Sequence, residues 1–323
     1  MSLVAEKPQA VTERPSVAPA APRVEVTFWP YVFAVVIGLL LLDVFGGLVY
    51  AAAVALLALG AFAVIAWTRG PLGRVALLHT KVDRRDLVVL SGTYLVVVAL
   101  YRIAFVVIEG QDMLLFAFFA AGLLVGAGVP VIYTVWRRGR SLKTLGLSTT
   151  NLPRVALLAL LFAAVQFSIT FWGYRDLPAA KDVATLGAMA LMVGVFETVF
   201  FRGFVQGRLE ASFGTAPAVF GAALLYGAYH VGYGMGPQET ALLFGLGIIY
   251  ALAYATTNSF FIMWPLLTPV GSLFAQFDDG ELLGRLPWAA LLGFADVIAV
   301  MAVILWIAHR HERKRTVALN EGT

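Results

Sequence analysis

The sequence predicts an all-α polytopic transmembrane helical bundle of about ten spans, and three observations predict it. Hydrophobic residues make up 60% of the 323-residue chain and charged residues only 13%, about half the charged share of a soluble domain. Apolar runs of roughly 17 to 25 residues recur between short polar breaks, the length a helix needs to cross a hydrocarbon slab about 30 Å thick. The runs are continuous rather than alternating, which argues against a β-barrel, and lipid admits only helices or closed barrels.

Taken in order, residues 1–27 are rich in Ala, Pro, Val and Glu and read as a disordered cytoplasmic tail. The apolar block 28–67 is interrupted by Asp43 and the pair Gly46-Gly47, so it divides into two spans. Further spans are expected at 86–107, 112–136, 153–172, 183–206, 214–232, 239–257, 260–275 and 287–308. Residues 28–136 form an N-terminal set of transmembrane helices, 137–276 a central intramembrane core, 277–308 the last transmembrane helix and 309–323 a basic cytoplasmic tail. No internal repeat is evident.

The positions of Lys and Arg orient this layout. One predicted loop holds Arg69, Arg74, Lys81, Arg84 and Arg85, a second holds Arg137, Arg138, Arg140, Lys143 and Arg154, and the C-terminal tail holds Arg310, Arg313, Lys314 and Arg315. The alternate loops carry Glu109 and Asp112, a balanced Arg175, Asp176, Lys181 and Asp182 set, or Asp278, Asp279 and Glu281. Under the positive-inside rule both termini lie in the cytoplasm. The net charge of +4 thus reflects membrane orientation and implies no nucleic-acid partner. The basic run 309–315 also suits anionic lipid heads. Absence of cysteine excludes disulfides, thiolate nucleophiles and zinc–thiolate sites.

An ionisable side chain at the centre of a span costs roughly 2.5 to 3.5 kcal/mol on insertion scales, so each one needs a reason. Glu197 and Arg202 fall in one expected span and His230 in the next, with Asp43, Arg102 and Asp296 elsewhere. On an α-helix, five residues place Glu197 and Arg202 about 140° apart, so each is expected to meet a partner on another helix. Tyr226 and His230 lie one turn apart on a common face. A glutamate and a histidine brought together can share a proton and activate water near neutral pH. Counted from the loop near 207–213, however, Glu197 lies about ten residues deep and His230 about seventeen, a mismatch of roughly 10 Å.

These segments, in this order, resemble the CPBP family, the CAAX prenyl proteases and bacteriocin-processing enzymes, also called the type II CAAX endopeptidase or ABI family. The resemblance covers about residues 137 to 276. It begins at Arg138-Gly-Arg-Ser-Leu-Lys-Thr-Leu-Gly-Leu147 and continues through Glu197-Thr-Val-Phe-Phe-Arg202, which is similar to Glu-Glu-x-x-x-Arg. Tyr226-x-x-x-His230 is similar to Phe-x-x-x-His, and Phe244-x-x-Gly247 with Thr257-Asn-Ser259 to the Gly-rich span and turn that follow. Two positions depart: Thr198 stands for the second glutamate, and Thr268-Pro-Val-Gly-Ser272 stands where the family has His-x-x-x-Asn.

The resemblance implies a CPBP-like core in the C-terminal two thirds and an intramembrane endopeptidase in which Glu197 and His230 activate water. Arg202 would be the motif's structural cation, with Thr198, Tyr226, Thr268 and Ser272 in supporting or oxyanion roles. The departures equally suit a catalytically degenerate member that keeps the fold to bind a membrane peptide, lipid or partner protein. A membrane-embedded or lipidated peptide is the expected substrate or partner. No cofactor is expected, because Glu197 and His230 lack a third ligand nearby in sequence and catalytic zinc usually takes three; His79, His309 and His311 fall in predicted cytoplasmic segments. A transporter using Asp43, Arg102 and Asp296 is a third class, although paired broken helices in an inverted repeat are not evident. The basic loops suit a prokaryotic plasma membrane.

Overall fold

The computed structural model describes residues 83–107, 121–149, 152–170, 180–270 and 288–321. The expected N-terminal tail, the two spans in 28–67, Asp43, His79 and Ser272 lie outside them. Among the described residues every regular element is a helix. Helix α1 is Arg84–Arg102 and widens into a π-helical turn, Ile103–Val107. Helix α2 is Gly122–Arg137, α3 Leu152–Thr170, and α4 Ala180–Glu197. The last runs without a break into π-helical Thr198–Gln206 and then α5, Gly207–Phe213. Helix α6 is Thr215–Tyr229, α7 Pro237–Thr257 and α8 Trp288–Glu321.

Among the described residues, three helical stretches are long and apolar enough to cross a membrane by length and composition: Arg84–Val107, Ala190–Phe213 and Pro237–Ala255. Their burial differs in a way that sets the architecture. The Ala190–Phe213 window is 83% buried, against 22% for Arg84–Val107, so the helix bearing Glu197 and Arg202 is the hub and α1 lies outside it. Phe196, Phe200, Phe201 and Phe204 of the hub are fully enclosed. Val88, Leu95 and Val107 of α1, and Val300, Val303 and Trp306 of α8, are exposed, as apolar residues facing lipid are. The chain is an integral membrane protein on this composition and build.

Two expectations change. The span expected at 183–206 does not end there: the hub continues to Phe213 and stops only at Gly214, whose positive φ of 88° a residue with a side chain would not readily adopt. The span expected at 260–275 is not one helix over its described part. Ser259 caps a short 3-10 turn, Phe260–Ile262, a turn follows, and helix resumes at Leu267. Pro265 and Pro269 each withhold a backbone donor that a continuous helix would use.

The π-helical stretches have local causes. In α2, Pro130 cannot donate to the carbonyl of Gly126, and π-helical turns occupy Gly122–Gly128 and Tyr133–Arg137. In the hub, the Thr198 hydroxyl donates to the carbonyl of Gly194 at 2.6 Å. That carbonyl is the acceptor the Thr198 N–H takes in an α-helix, and a side chain competing for it loosens the turn.

The hub meets its neighbours closely. An added Cβ on Gly203 would lie 2.6 Å from the carbonyl oxygen of Leu145, so the Leu145-Gly146-Leu147 loop packs directly on the hub backbone. The carbonyl of Gly146 then accepts the N–H of Phe260 at 2.8 Å, tying the loop to the turn after α7. Helix α6 approaches α7 as tightly, with Gly247 against Ala223 and Tyr226.

Candidate functional site

Glu197 ends the α-helical part of the hub and is 5% exposed. Its carboxylate accepts a short hydrogen bond from the Tyr229 hydroxyl and a second from the Tyr226 hydroxyl at 3.4 Å. Both tyrosines come from α6. They stand three residues apart, one turn of an α-helix, so their rings share a face. A buried carboxylate needs such donors because it has left water.

The π-helical turn changes where Arg202 points. With i→i+5 bonding, five residues complete little more than one turn, so Glu197 and Arg202 fall on neighbouring faces rather than about 140° apart as the α-helical count gives. The Arg202 guanidinium lies 4.8 Å from the centre of the Tyr226 ring and 5.8 Å from that of Tyr250. It also donates to the carbonyl of Gly247 at 3.2 Å. Tyr226 is therefore the shared contact, its hydroxyl toward the acid and its ring face toward the cation. One helical step on, Gln206 donates to the carbonyl of Ala251 at 2.7 Å. Arg202 and Gln206 thus bind two α7 carbonyls that are themselves four residues apart.

His230 follows directly after α6 and is 6% exposed. Its Nδ1 lies 2.8 Å from the carbonyl oxygen of Tyr226. A carbonyl only accepts, so Nδ1 carries the proton and Nε2 is the acceptor nitrogen of the neutral ring. The imidazole lies 4.0 Å from the Tyr229 ring and 5.1 Å from the Tyr226 ring, centre to centre. Tyr226 and Tyr229 accordingly touch both Glu197 and His230. No ion pair joins Glu197 to Arg202 or to His230 among the described residues. The depth mismatch counted from sequence does not survive: the hub runs on to Phe213 and turns at Gly214, so Glu197 and His230 lie about equally far along the chain from the turn, and Tyr229, the residue before His230, reaches Glu197.

Thr198 is fully buried with its hydroxyl turned into its own helix at Gly194, so it does not supply a second donor to Glu197. Thr268 is 3% exposed and its hydroxyl has no hydrogen-bond partner among the described residues. The next residue, Pro269, packs on Gly194 one turn before Glu197, which places the Thr268 segment beside the hub on the approach to the acid. Arg102 is at the surface and donates to the carbonyl of Val231 at 2.9 Å, fastening the turn that follows His230. Among the described residues no three His, Cys, Asp or Glu side chains gather as a metal-ligand set.

Tyr229 is the neighbour of Glu197 and His230 that motif reading missed, and with it Tyr101 and Tyr233. Tyr101 lies 5.7 Å from Tyr229 and 4.7 Å from Tyr233, ring to ring. The signal was present: Tyr226, Tyr229 and Tyr233 recur at helical spacing around His230.

Residues 179–266 match the family model described as type II CAAX prenyl endopeptidase Rce1-like. The match contains Glu197, Arg202, Tyr226 and His230 and ends before Thr268, and it is consistent with a CPBP family member. No curated protein and no solved structure matches the chain.

Proposed function

We propose that the chain is an intramembrane endopeptidase of the CPBP type, in which Glu197 and His230 activate a water for attack on a peptide bond. The observation that carries this reading is the pair of tyrosines, Tyr226 and Tyr229, whose hydroxyls meet Glu197 and whose rings meet His230. In the reaction a base takes one proton from water while the water oxygen bonds to the substrate carbonyl carbon. The carbon–nitrogen bond then breaks, and that proton passes to the departing amine. The Nε2 of His230 has the lone pair for the transfer, because Nδ1 is committed to Tyr226. Arg202 fixes the angle between the hub and α7 through Gly247. Thr268, with an unpartnered buried hydroxyl, is the oxyanion donor in this reading, and Ser272 is its expected companion.

The remaining parts of the reading follow from the sequence. About ten spans enclose a core at 137–276, both termini lie on the basic side of a prokaryotic plasma membrane, and the substrate is a membrane-embedded or lipidated peptide. No metal takes part. The peptide bond is cleaved near the cytoplasmic side of the bilayer.

A second reading has its own observation. The motif's second acid is Thr198, and its hydroxyl is spent on Gly194, so the site has one carboxylate where the family has two. A degenerate member would keep the pocket to bind a peptide, lipid or partner protein without turnover. Cleavage of a lipidated peptide by the purified chain in proteoliposomes separates the two. Turnover that disappears in a folded Glu197→Gln variant supports the peptidase. Peptide retained equally by wild type and variant, with no product from either, supports the binding protein.

A further inference from the structure

The basic end of the molecule is assembled from four elements: α1, α2 with the loop after it, α5 and α8. Asp83 caps α1 by accepting the N–H of Arg85 at 3.0 Å and is paired with Arg138. Asp86, 3% exposed, accepts from Tyr133 at 2.7 Å and from Arg140 at 2.9 Å, with Arg138 at 2.9 Å and Arg208 at 3.7 Å. Helix α8 outruns the slab: its 34 residues extend about 51 Å, and its last part crosses the loop after α2. There Glu312 accepts from Ser141, Arg315 donates to the carbonyl of Gly139 at 2.8 Å, and the His311 ring stands 6.2 Å from that of Trp136.

Asp83, Asp86 and Glu312 are thereby occupied, and several cations are not. Arg137, Arg313 and Lys314 are exposed with no acidic partner among the described residues. Arg310 lies 4.1 Å above the ring of Trp306, which is 54% exposed. Below this ring of charge, Val300, Val303 and Ile307 continue the exposed apolar face of α8. Cations above half-exposed tryptophans above an apolar face is the order of chemistries in a phospholipid, read from headgroup to acyl chain.

We propose that the surface formed by Trp136, Arg137, Trp306, Arg310, Arg313 and Lys314 is a binding site for anionic phospholipid headgroups. Orientation of the chain requires basic residues on this side, but it requires neither an α8 extension fastened to the α2 loop nor cations left unpaired beside exposed tryptophans. The inference does not depend on whether the chain cleaves peptides.

The test uses the full chain in detergent with defined lipid, read by native mass spectrometry as the ratio of phosphatidylglycerol to phosphatidylcholine retained. Wild type retains phosphatidylglycerol in preference, the preference fades as ionic strength rises toward about 0.5 M, and free glycerol phosphate does not displace the lipid. Removing each cation lowers retention of the anionic lipid about fivefold at low salt, so Arg310→Gln/Arg313→Gln/Lys314→Gln holds the two lipids alike. Should that variant misfold, Arg313→Glu, at an exposed side chain with no hydrogen bond or ion pair among the described residues, shifts the ratio in the same direction. Equal retention of the two lipids by wild type, an unchanged preference in a folded variant, or displacement by free glycerol phosphate each overturns the proposal.

Discussion

Glu197 accepts the hydroxyl of Tyr229, and the ring of that tyrosine rests 4.0 Å from the imidazole of His230. The acid and the imidazole do not touch directly. They are joined through a side chain that belongs to neither expected motif role, and the neighbouring Tyr226 repeats the arrangement one turn earlier.

Tyr229→Phe removes one of the two hydroxyls on a buried carboxylate while keeping the ring against His230. A hydrogen bond to a charged group is worth about 1.5 to 3 kcal/mol, and the expected loss of stability is of that size. Thermal unfolding in detergent, with the variant and wild type in the same micelle, measures it. An unchanged midpoint would mean that the hydroxyl does not hold Glu197.

Arg202→Lys keeps a positive charge and loses the planar fork that lies over Tyr226 and donates to Gly247. Lysine is a point charge on a flexible stem, so the hub loosens from α7. A loss of about 1 to 2 kcal/mol is expected, together with faster deuterium exchange in 247–251. A variant as stable and as protected as wild type would remove Arg202 from the packing of these helices.

Gly203→Ala puts a methyl group where the backbone carbonyl of Leu145 already stands, 2.6 Å away. Backbone cannot step aside as a flexible side chain does, and overpacking of this kind costs about 1 to 3 kcal/mol. Gly207→Ala is the control, because its added Cβ would meet the Thr144 carbonyl at an ordinary 3.7 Å. Expression and thermal midpoint are expected to fall for the first and to hold for the second.

Asp86→Asn leaves Arg208, 1% exposed, and Arg140 without their acid, while Arg138 keeps Asp83. Removing one partner of a buried pair costs roughly 3 to 5 kcal/mol, and the lower end applies here because two of the three arginines are partly solvated. The midpoint falls and the 137–142 loop becomes a site of limited proteolysis. Full resistance to protease would show that the loop is held by α8 alone.

Much of the fold was legible because the bilayer imposes it. Hydropathy located α1, α6 and α7 to within a few residues, since a helix in lipid must be apolar for its whole crossing. The ends of the hub were not legible: nothing in the hydropathy of 207–213 distinguishes a loop from a helix that continues to a glycine. The pairing of Glu197 with Arg202 through Tyr226 was hidden for a different reason. It depends on a π-helical turn, and the hydroxyl of Thr198 that accompanies it reads as a lost acid until its bond to Gly194 is seen. Tyr229 was overlooked because attention to a four-residue spacing passed over the residue beside the histidine.

The most direct measurement compares three variants in the peptide-cleavage assay: Glu197→Gln, His230→Gln and the two together. Residues that act on one water fail as a unit, so each single change should lower turnover by on the order of 10² to 10⁴ and the double change should lower it no further. A double variant that loses the product of the two single losses, or a folded single variant that cleaves as wild type does, would contradict a shared site.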